Sequence, residues 1–137
     1  MIRPLLLDTC VCIWLLEGTL QPSAHQTLMD AYAADISAFV SPVTALEVAT
    51  LSRKRRAKSP LDPQRWFDRL VGLPGVALAE MSPAVLIASQ SLPDYRDPDP
   101  YDRIIAATAR EYGYTVMTRD RALLDYAAQG YLAVIEC

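Results

Sequence analysis

Residues 101–135, YDRIIAATAREYGYTVMTRDRALLDYAAQGYLAVI, read as helix, strand, helix, strand. From Tyr101 to Tyr112 the apolar positions recur at helical spacing, and Gly113 stops the run. Tyr114 to Met117 is a short strand, Arg121 to Gln129 is helical again, Gly130 punctuates, and Tyr131 to Ile135 is a closing strand. Strands alternating with helix-length segments are the signature of βαβ units, and so of a parallel sheet with helices on both faces.

The same alternation extends backward. In Pro93-Asp94-Tyr95-Arg96-Asp97-Pro98-Asp99-Pro100 each proline disfavours helical geometry in the residue before it, so this run is a rigid, acidic loop. Pro60, Pro63, Pro74 and Pro83 divide the middle into a loop, a helix over Gln64 to Leu73, a strand Val76 to Leu78 and a helix Ala84 to Leu92. Ile36 to Val40 is a strand closed by Ser41-Pro42, after which Val43, Leu46 and Ala49 share one side of a helix with Pro42 in its first turn. Ser23 to Ala34 is a helix, and so is Thr9 to Glu17, which Gly18 ends. Arg3-Pro4-Leu5-Leu6-Leu7 has the continuous apolar character of a strand buried on both faces. The expected fold is α/β: a three-layer α/β/α sandwich around a central, mainly parallel sheet. At roughly 150 residues per domain, residues 1–137 form one domain.

Composition narrows the classes. With 52% hydrophobic and 21% charged residues the chain can bury a core, which excludes a disordered or collagen-like polymer. The apolar runs Leu5-Leu6-Leu7 and Val11 to Leu16 are split by Asp8 and fall short of the ~20 residues that cross a membrane, so no membrane association is expected. Met1-Ile2-Arg3-Pro4 leads into no secretory cleavage site, and three cysteines (Cys10, Cys12, Cys137) suit a reducing compartment; a cytoplasmic location is expected. Cys10 and Cys12 point to different sides of a helix and read as packing thiols. Thirteen basic against 16 acidic residues give a net charge of −3. Five of those basic residues, Arg53, Lys54, Arg55, Arg56 and Lys58, fall within six positions, leaving the rest of the chain acidic.

The acidic positions carry the chemistry. Asp8 ends the first strand, Asp120 follows the Tyr114 to Met117 strand, Asp99 and Asp102 stand at a helix entrance, and Glu47 lies in a largely apolar helix. Asp8, Asp99 and Asp120 each also suit a helix cap, and Glu47 a solvated helix face. Parallel topology, however, can bring strand ends to one edge, where ligands bind in open α/β sheets. Carboxylates about 4 Å apart repel by ~4 kcal/mol at an effective dielectric near 20. Lys54 and Lys58 are the only lysines, and Arg103 and Arg119 can neutralise part of the charge. A divalent ion is the stronger counter-charge, and oxygen donors without a histidine or thiol cluster select Mg²⁺ or Mn²⁺; His25 stands alone. Such an ion suits phosphodiester hydrolysis. The basic run begins about two helical turns after Glu47, where it can hold flanking phosphates or simply end a helix favourably.

Four segments in order, Leu5-Leu6-Leu7-Asp8-Thr9, Ser41-Pro42-Val43-Thr44-Ala45-Leu46-Glu47, Asp99-Pro100-Tyr101-Asp102-Arg103-Ile104-Ile105-Ala106-Ala107-Thr108-Ala109 and Val116-Met117-Thr118-Arg119-Asp120, together resemble a PIN domain of the VapC-like toxins of toxin–antitoxin pairs. The resemblance spans essentially the whole chain and is most specific in the third segment. It implies a Mg²⁺-dependent ribonuclease, Mn²⁺ being an alternative, with an acidic quartet at Asp8, Glu47, Asp102 and Asp120. Asp8 and Asp102 would be the principal metal ligands, Glu47 would complete the site directly or through water, and Asp120 would position a second ion or the attacking water. Thr9 and Thr118 would orient carboxylates, Asp99 would be auxiliary, and Arg103 would pair with Asp99 or touch phosphate. Arg53, Lys54, Arg55 and Arg56 are the expected RNA-binding residues. The resemblance further implies a homodimer and a VapB-like antitoxin whose tail occupies the acidic groove.

Other classes fit less well. A phosphoacceptor receiver domain wants paired acids after an early strand and a late lysine, yet Asp8 is followed by Thr9-Cys10 and no lysine follows Lys58. A haloacid-dehalogenase-like phosphatase needs an acid at position 10, where cysteine stands. A catalytically silent module of the same fold is separated from the nuclease by an assay of metal-dependent RNA cleavage.

Overall fold

The computed structural model describes residues 3–55 and 62–137, with the Arg55 side chain outside that description. Among these residues five strands form one sheet in the order β3-β2-β1-β4-β5: β1 (Leu5–Leu7), β2 (Ala38–Val40), β3 (Val76–Leu78), β4 (Thr115–Thr118) and β5 (Ala133–Glu136). Every pairing is parallel, with Leu5 opposite both Ala38 and Thr115. The expected mainly parallel sheet is thus wholly parallel among the described residues. Among the described residues seven helices connect the strands: α1 (Thr9–Glu17), α2 (Pro22–Ala33), α3 (Pro42–Arg55), α4 (Pro63–Val71), α5 (Pro83–Ala88), α6 (Pro100–Tyr112) and α7 (Arg121–Ala128).

The strand pleat divides the core into two layers. Leu6 and Val116 point to one side with Ile105, Ala106, Ala109, Leu123 and Tyr126, whereas Leu5, Leu7 and Met117 point to the other with Val11, Cys12, Ala31, Trp66 and Leu70. β1 is completely covered on both faces, which is why its sequence is uninterrupted leucine. Helix α3 feeds both layers through Val43 and Val48.

Proline sets where the helices start. Those read from Ser23, Gln64, Ala84 and Tyr101 each begin one residue earlier, on Pro22, Pro63, Pro83 and Pro100, because the first helical position needs no N–H and proline's φ is already helical. Helix ends move strand starts in the opposite sense. At Gly113 (φ 74°) the Tyr114 N–H turns back to the Ala109 carbonyl, so β4 begins at Thr115 rather than Tyr114. Helix α5 stops at Ala88 instead of reaching Leu92: the following turn tightens, with Gln90 and Ser91 bonding to Ile87 and Ala88, and the Ser89 carbonyl accepts from Arg103.

Sheet topology fixes where a ligand can enter. The chain builds outward from β1 to β2 to β3, then returns past β1 to lay down β4 and β5 on its other side. The direction of winding reverses between β1 and β4, and the crevice outside the carboxyl ends of those two strands is the switch point of the sheet.

Candidate active site

Asp8 and Asp120 stand at that switch point. The Asp8 N–H continues the ladder to the Met117 carbonyl (3.0 Å), and one carboxylate oxygen caps α1 by accepting from the Thr9 N–H (2.8 Å). The other accepts a 2.6 Å hydrogen bond from the Thr118 hydroxyl, and that hydroxyl accepts the Asp120 N–H at 2.9 Å. Asp120 in turn caps α7 through Leu123 N (3.0 Å). Asp99 caps α6, accepting from Tyr101 N (2.9 Å) and Asp102 N (3.4 Å). Capping and site placement therefore coincide: the bonds that start each helix also orient a carboxylate at the sheet edge.

Asp8, Glu47, Asp99, Asp102 and Asp120 line one cleft of about 320 Å³, together with Thr9, Cys10, Trp14 and Arg119. Four stretches of chain meet there: the end of β1, the middle of α3, the start of α6 and the β4–α7 turn. Thr9 is buried, its hydroxyl 3.0 Å from that of Thr44, and it favours the charged form of Glu47.

Asp97, inside the proline-bounded loop, joins this group. One carboxylate oxygen from each of Asp97, Asp102 and Asp120 lies within 4.8 Å of the others. Its own geometry comes from the Asp99 N–H, which donates to its Oδ1 at 3.0 Å and folds the loop back toward α6. The signal in the sequence is the repeat Asp97-Pro98-Asp99-Pro100, in which stiff prolines hold two acids at a fixed offset.

The electrostatics of the cleft are strained. Burial and the charges of Asp120, Asp8, Asp99 and Asp97 push the Asp102 carboxyl up to about 8. Asp8 is raised by burial despite the Thr118 and Thr9 hydrogen bonds, and Glu47 by burial followed by Asp8, Asp99 and Asp120. Two carboxylates at 4.8 Å repel by roughly 3 to 4 kcal/mol at an effective dielectric near 20, before screening by solvent. Neither nearby arginine forms an ion pair with these acids among the described residues. Arg103 pairs with no carboxylate; its Nε and Nη1 donate to the carbonyls of Ser89 (2.8 Å), Tyr95 (3.2 Å) and Asp97 (2.9 Å), pinning the acidic loop from behind. Of its two expected roles, pairing with Asp99 or touching phosphate, the pairing is not formed among the described residues, because the guanidinium is turned toward these carbonyls. Arg119 lies over Trp14 and bonds to Cys137.

The donor set fits a hard divalent cation. It consists of carboxylate oxygens, and His25 sits instead against an apolar groove on α2. Cys10 faces the cleft with Sγ 3.9 Å from Asp8 Oδ2, but burial and Asp8 push its thiol up to about 12, so it stays protonated at neutral pH. Cys12 is fully buried against the Leu7 carbonyl (3.8 Å). Arg53 and Lys54 lie apart, exposed on the last turn of α3 and not lining the cleft; Arg55 ends that helix, and Arg56 and Lys58 fall outside the described residues.

Comparisons with known proteins agree with this geometry. Residues 5–129 match the family model described as PIN domain. Ribonuclease VapC22 of Mycobacterium tuberculosis is 28% identical over 118 residues, covering 86% of this chain and 88% of that protein. Among solved structures, VapBC2 from Rickettsia felis bound to a promoter DNA fragment superposes with a TM-score of 0.72 at 16% identity, over 99% of this chain and 98% of the other. A toxin–antitoxin complex from Klebsiella pneumoniae gives 0.62 at 25% identity, over 95% and 94%.

Proposed function

The chain belongs to the PIN domain family, and from that premise we propose that it is a divalent-metal-dependent ribonuclease acting as the toxin of a toxin–antitoxin pair. The observation that carries the proposal is the convergence of Asp8, Glu47, Asp102 and Asp120 from four separate stretches of chain on one cleft with little cationic compensation. The similarity to a ribonuclease and to a chain of a solved toxin–antitoxin complex supports the choice of substrate and role.

Asp8 and Asp102 would hold Mg²⁺, or Mn²⁺ in its place, with Glu47 completing the site directly or through water. When bound, the ion supplies the positive charge that offsets charge building on the phosphoryl oxygens and makes water a better nucleophile at neutral pH. The remaining work falls to the protein. Thr118 holds Asp8 in one orientation while tying the Asp120 main chain to the same hydroxyl. Thr9 does the corresponding service for Glu47. Asp102, whose carboxyl is raised to about 8, would give up its proton in holding a cation. Asp120 and the loop carboxylate Asp97 are placed to orient water at the edge of the cluster.

The same reading extends to partners. An acidic cleft that would hold a metal ion also attracts a basic segment of an antitoxin, so the antitoxin would inhibit by competing electrostatically with the metal. Exposed Leu86 and Ile87 on α5 are in keeping with a second copy of the chain as a further partner. The three cysteines are free thiols, in keeping with a cytoplasmic site of action, and no helix of the described residues is long and apolar enough to cross a membrane.

The test is cleavage of a labelled RNA by the purified chain. Cleavage is expected with Mg²⁺ or Mn²⁺, abolished by chelator and restored by added metal, and lost in Asp102→Asn. Equal cleavage in chelator, or by Asp102→Asn at the parental rate, sinks the proposal.

A further inference from the structure

Among the described residues that line the acidic cleft, Arg119 is the single cation. Two contacts hold it. Its Nε donates to the main-chain oxygen of Cys137 at 3.0 Å, and its guanidinium lies over the Trp14 indole, 4.5 Å from the ring centroid. The ion pairs formed among the described residues are Arg65 with Asp62 and Arg121 with Asp125, so Arg119 stands beside five acids without being paired to any of them. Both contacts fix the plane of the guanidinium while leaving its two terminal nitrogens without a protein partner among the described residues. The side chain is exposed at the mouth of the cleft.

A planar, permanently charged fork held in one orientation and pointed at no carboxylate suits a phosphate oxygen. The neighbouring cation cannot do this work, since the Arg103 guanidinium is taken by three loop carbonyls. A phosphodiester entering a cleft of five carboxylates meets repulsion, which a metal ion relieves without supplying directional donors.

We propose that Arg119, braced by Trp14 and the Cys137 main chain, is the substrate-phosphate clamp of this cleft and grips a non-bridging oxygen of the bound RNA backbone. This rests on the reading of the cleft as a ribonuclease site. Arg119 is a binding residue in this scheme, and Trp14 is a positioning residue that acts through it.

The experiment is steady-state cleavage of a labelled RNA oligonucleotide at several salt concentrations by the wild type, Arg119→Gln, Arg119→Lys and Trp14→Ala, alongside thermal melts and Mn²⁺ titrations. Loss of one charge-assisted contact predicts a KM about tenfold higher for Arg119→Gln, with Mn²⁺ affinity not reduced. Its dependence of log KM on log salt becomes shallower by about 0.7, the contribution of one phosphate contact on a single strand. Arg119→Lys keeps the charge and so recovers the salt slope with only part of the KM. Trp14→Ala leaves the salt slope in place and raises KM, because the charge remains but its orientation is lost. An Arg119→Gln protein with the parental KM and salt slope overturns the clamp, as does a change confined to melting temperature. If the wild type cuts RNA and Arg119→Gln matches it, the clamp alone falls; if the wild type cuts no RNA with metal present, the ribonuclease reading falls and the clamp with it.

Discussion

The Thr118 hydroxyl on β4 donates a 2.6 Å hydrogen bond to Asp8 Oδ2 at the end of β1, joining residues 110 positions apart across the switch point of the sheet. The bond supplies a donor to a carboxylate that is only 5% exposed, and it fixes which oxygen lone pairs face the cleft. Replacing Thr118 with valine keeps the shape and removes the donor. Divalent-cation affinity is expected to fall about tenfold or more, and Thr118→Ser to recover it. Calorimetric Mn²⁺ titration checks this; a valine variant that binds as tightly as the parent shows that the bond does not orient a ligand.

Asp102 sets a pH dependence of stability. Its carboxyl is raised from 3.8 to about 8 in the folded chain, so between those values the native state keeps a proton that the unfolded state has lost. Stability of the metal-free protein therefore falls as pH rises from about 4 to about 8. Asp102→Asn removes this term, so it is expected to melt higher than the parent at pH 8 without metal and nearly equally at pH 4. A melting curve that rises with pH across that window in chelator contradicts the assignment.

Asp97 is expected to matter for the cation through its place beside Asp102 and Asp120. Asp97→Asn keeps an acceptor for the Asp99 N–H while removing one charge from the group it forms with Asp102 and Asp120. The fold should survive, and the Mg²⁺ concentration for half-maximal RNA cleavage should rise by about an order of magnitude. An unchanged Mg²⁺ requirement separates Asp97 from the cation.

Leu6, fully buried in the central strand, packs in the layer with Ile105, Ala106 and Val116. Leu6→Ala is expected to cost about 2 to 5 kcal/mol by urea unfolding, because a covered site between sheet and helices collapses poorly. A loss well under 1 kcal/mol would mean that this layer is looser than its burial indicates.

The sequence was most readable where one cause acts alone. Leu5 to Leu7 announced a doubly buried strand, and Gly18 and Gly113 marked helix ends because each adopts a left-handed conformation that other residues resist. Boundaries slipped where two causes compete, as at Tyr114, whose β-prone side chain is overruled by its bond to Ala109. The quartet residues each stood out at an element end or within an apolar helix, but their meeting depends on the return of the chain past β1, which no local pattern encodes. The role of Asp97 depends on how the loop folds back, and the partners of Arg103 are main-chain carbonyls, which carry no sequence signature. The basic run Arg53 to Arg56 was conspicuous in composition, yet Arg53 and Lys54 do not reach the cleft lining, while Arg119, a lone arginine within a strand-end motif, does.

The central claim is that Asp8 and Asp102 together hold a divalent ion. Crystals grown with Mn²⁺ and measured at a wavelength where manganese scatters anomalously test it without relying on turnover. A peak within coordination distance of both carboxylates, lost in Asp8→Asn, is the predicted result. Ordered Asp8 and Asp102 side chains with no peak between them at saturating Mn²⁺, or a peak held elsewhere on the chain, would contradict it.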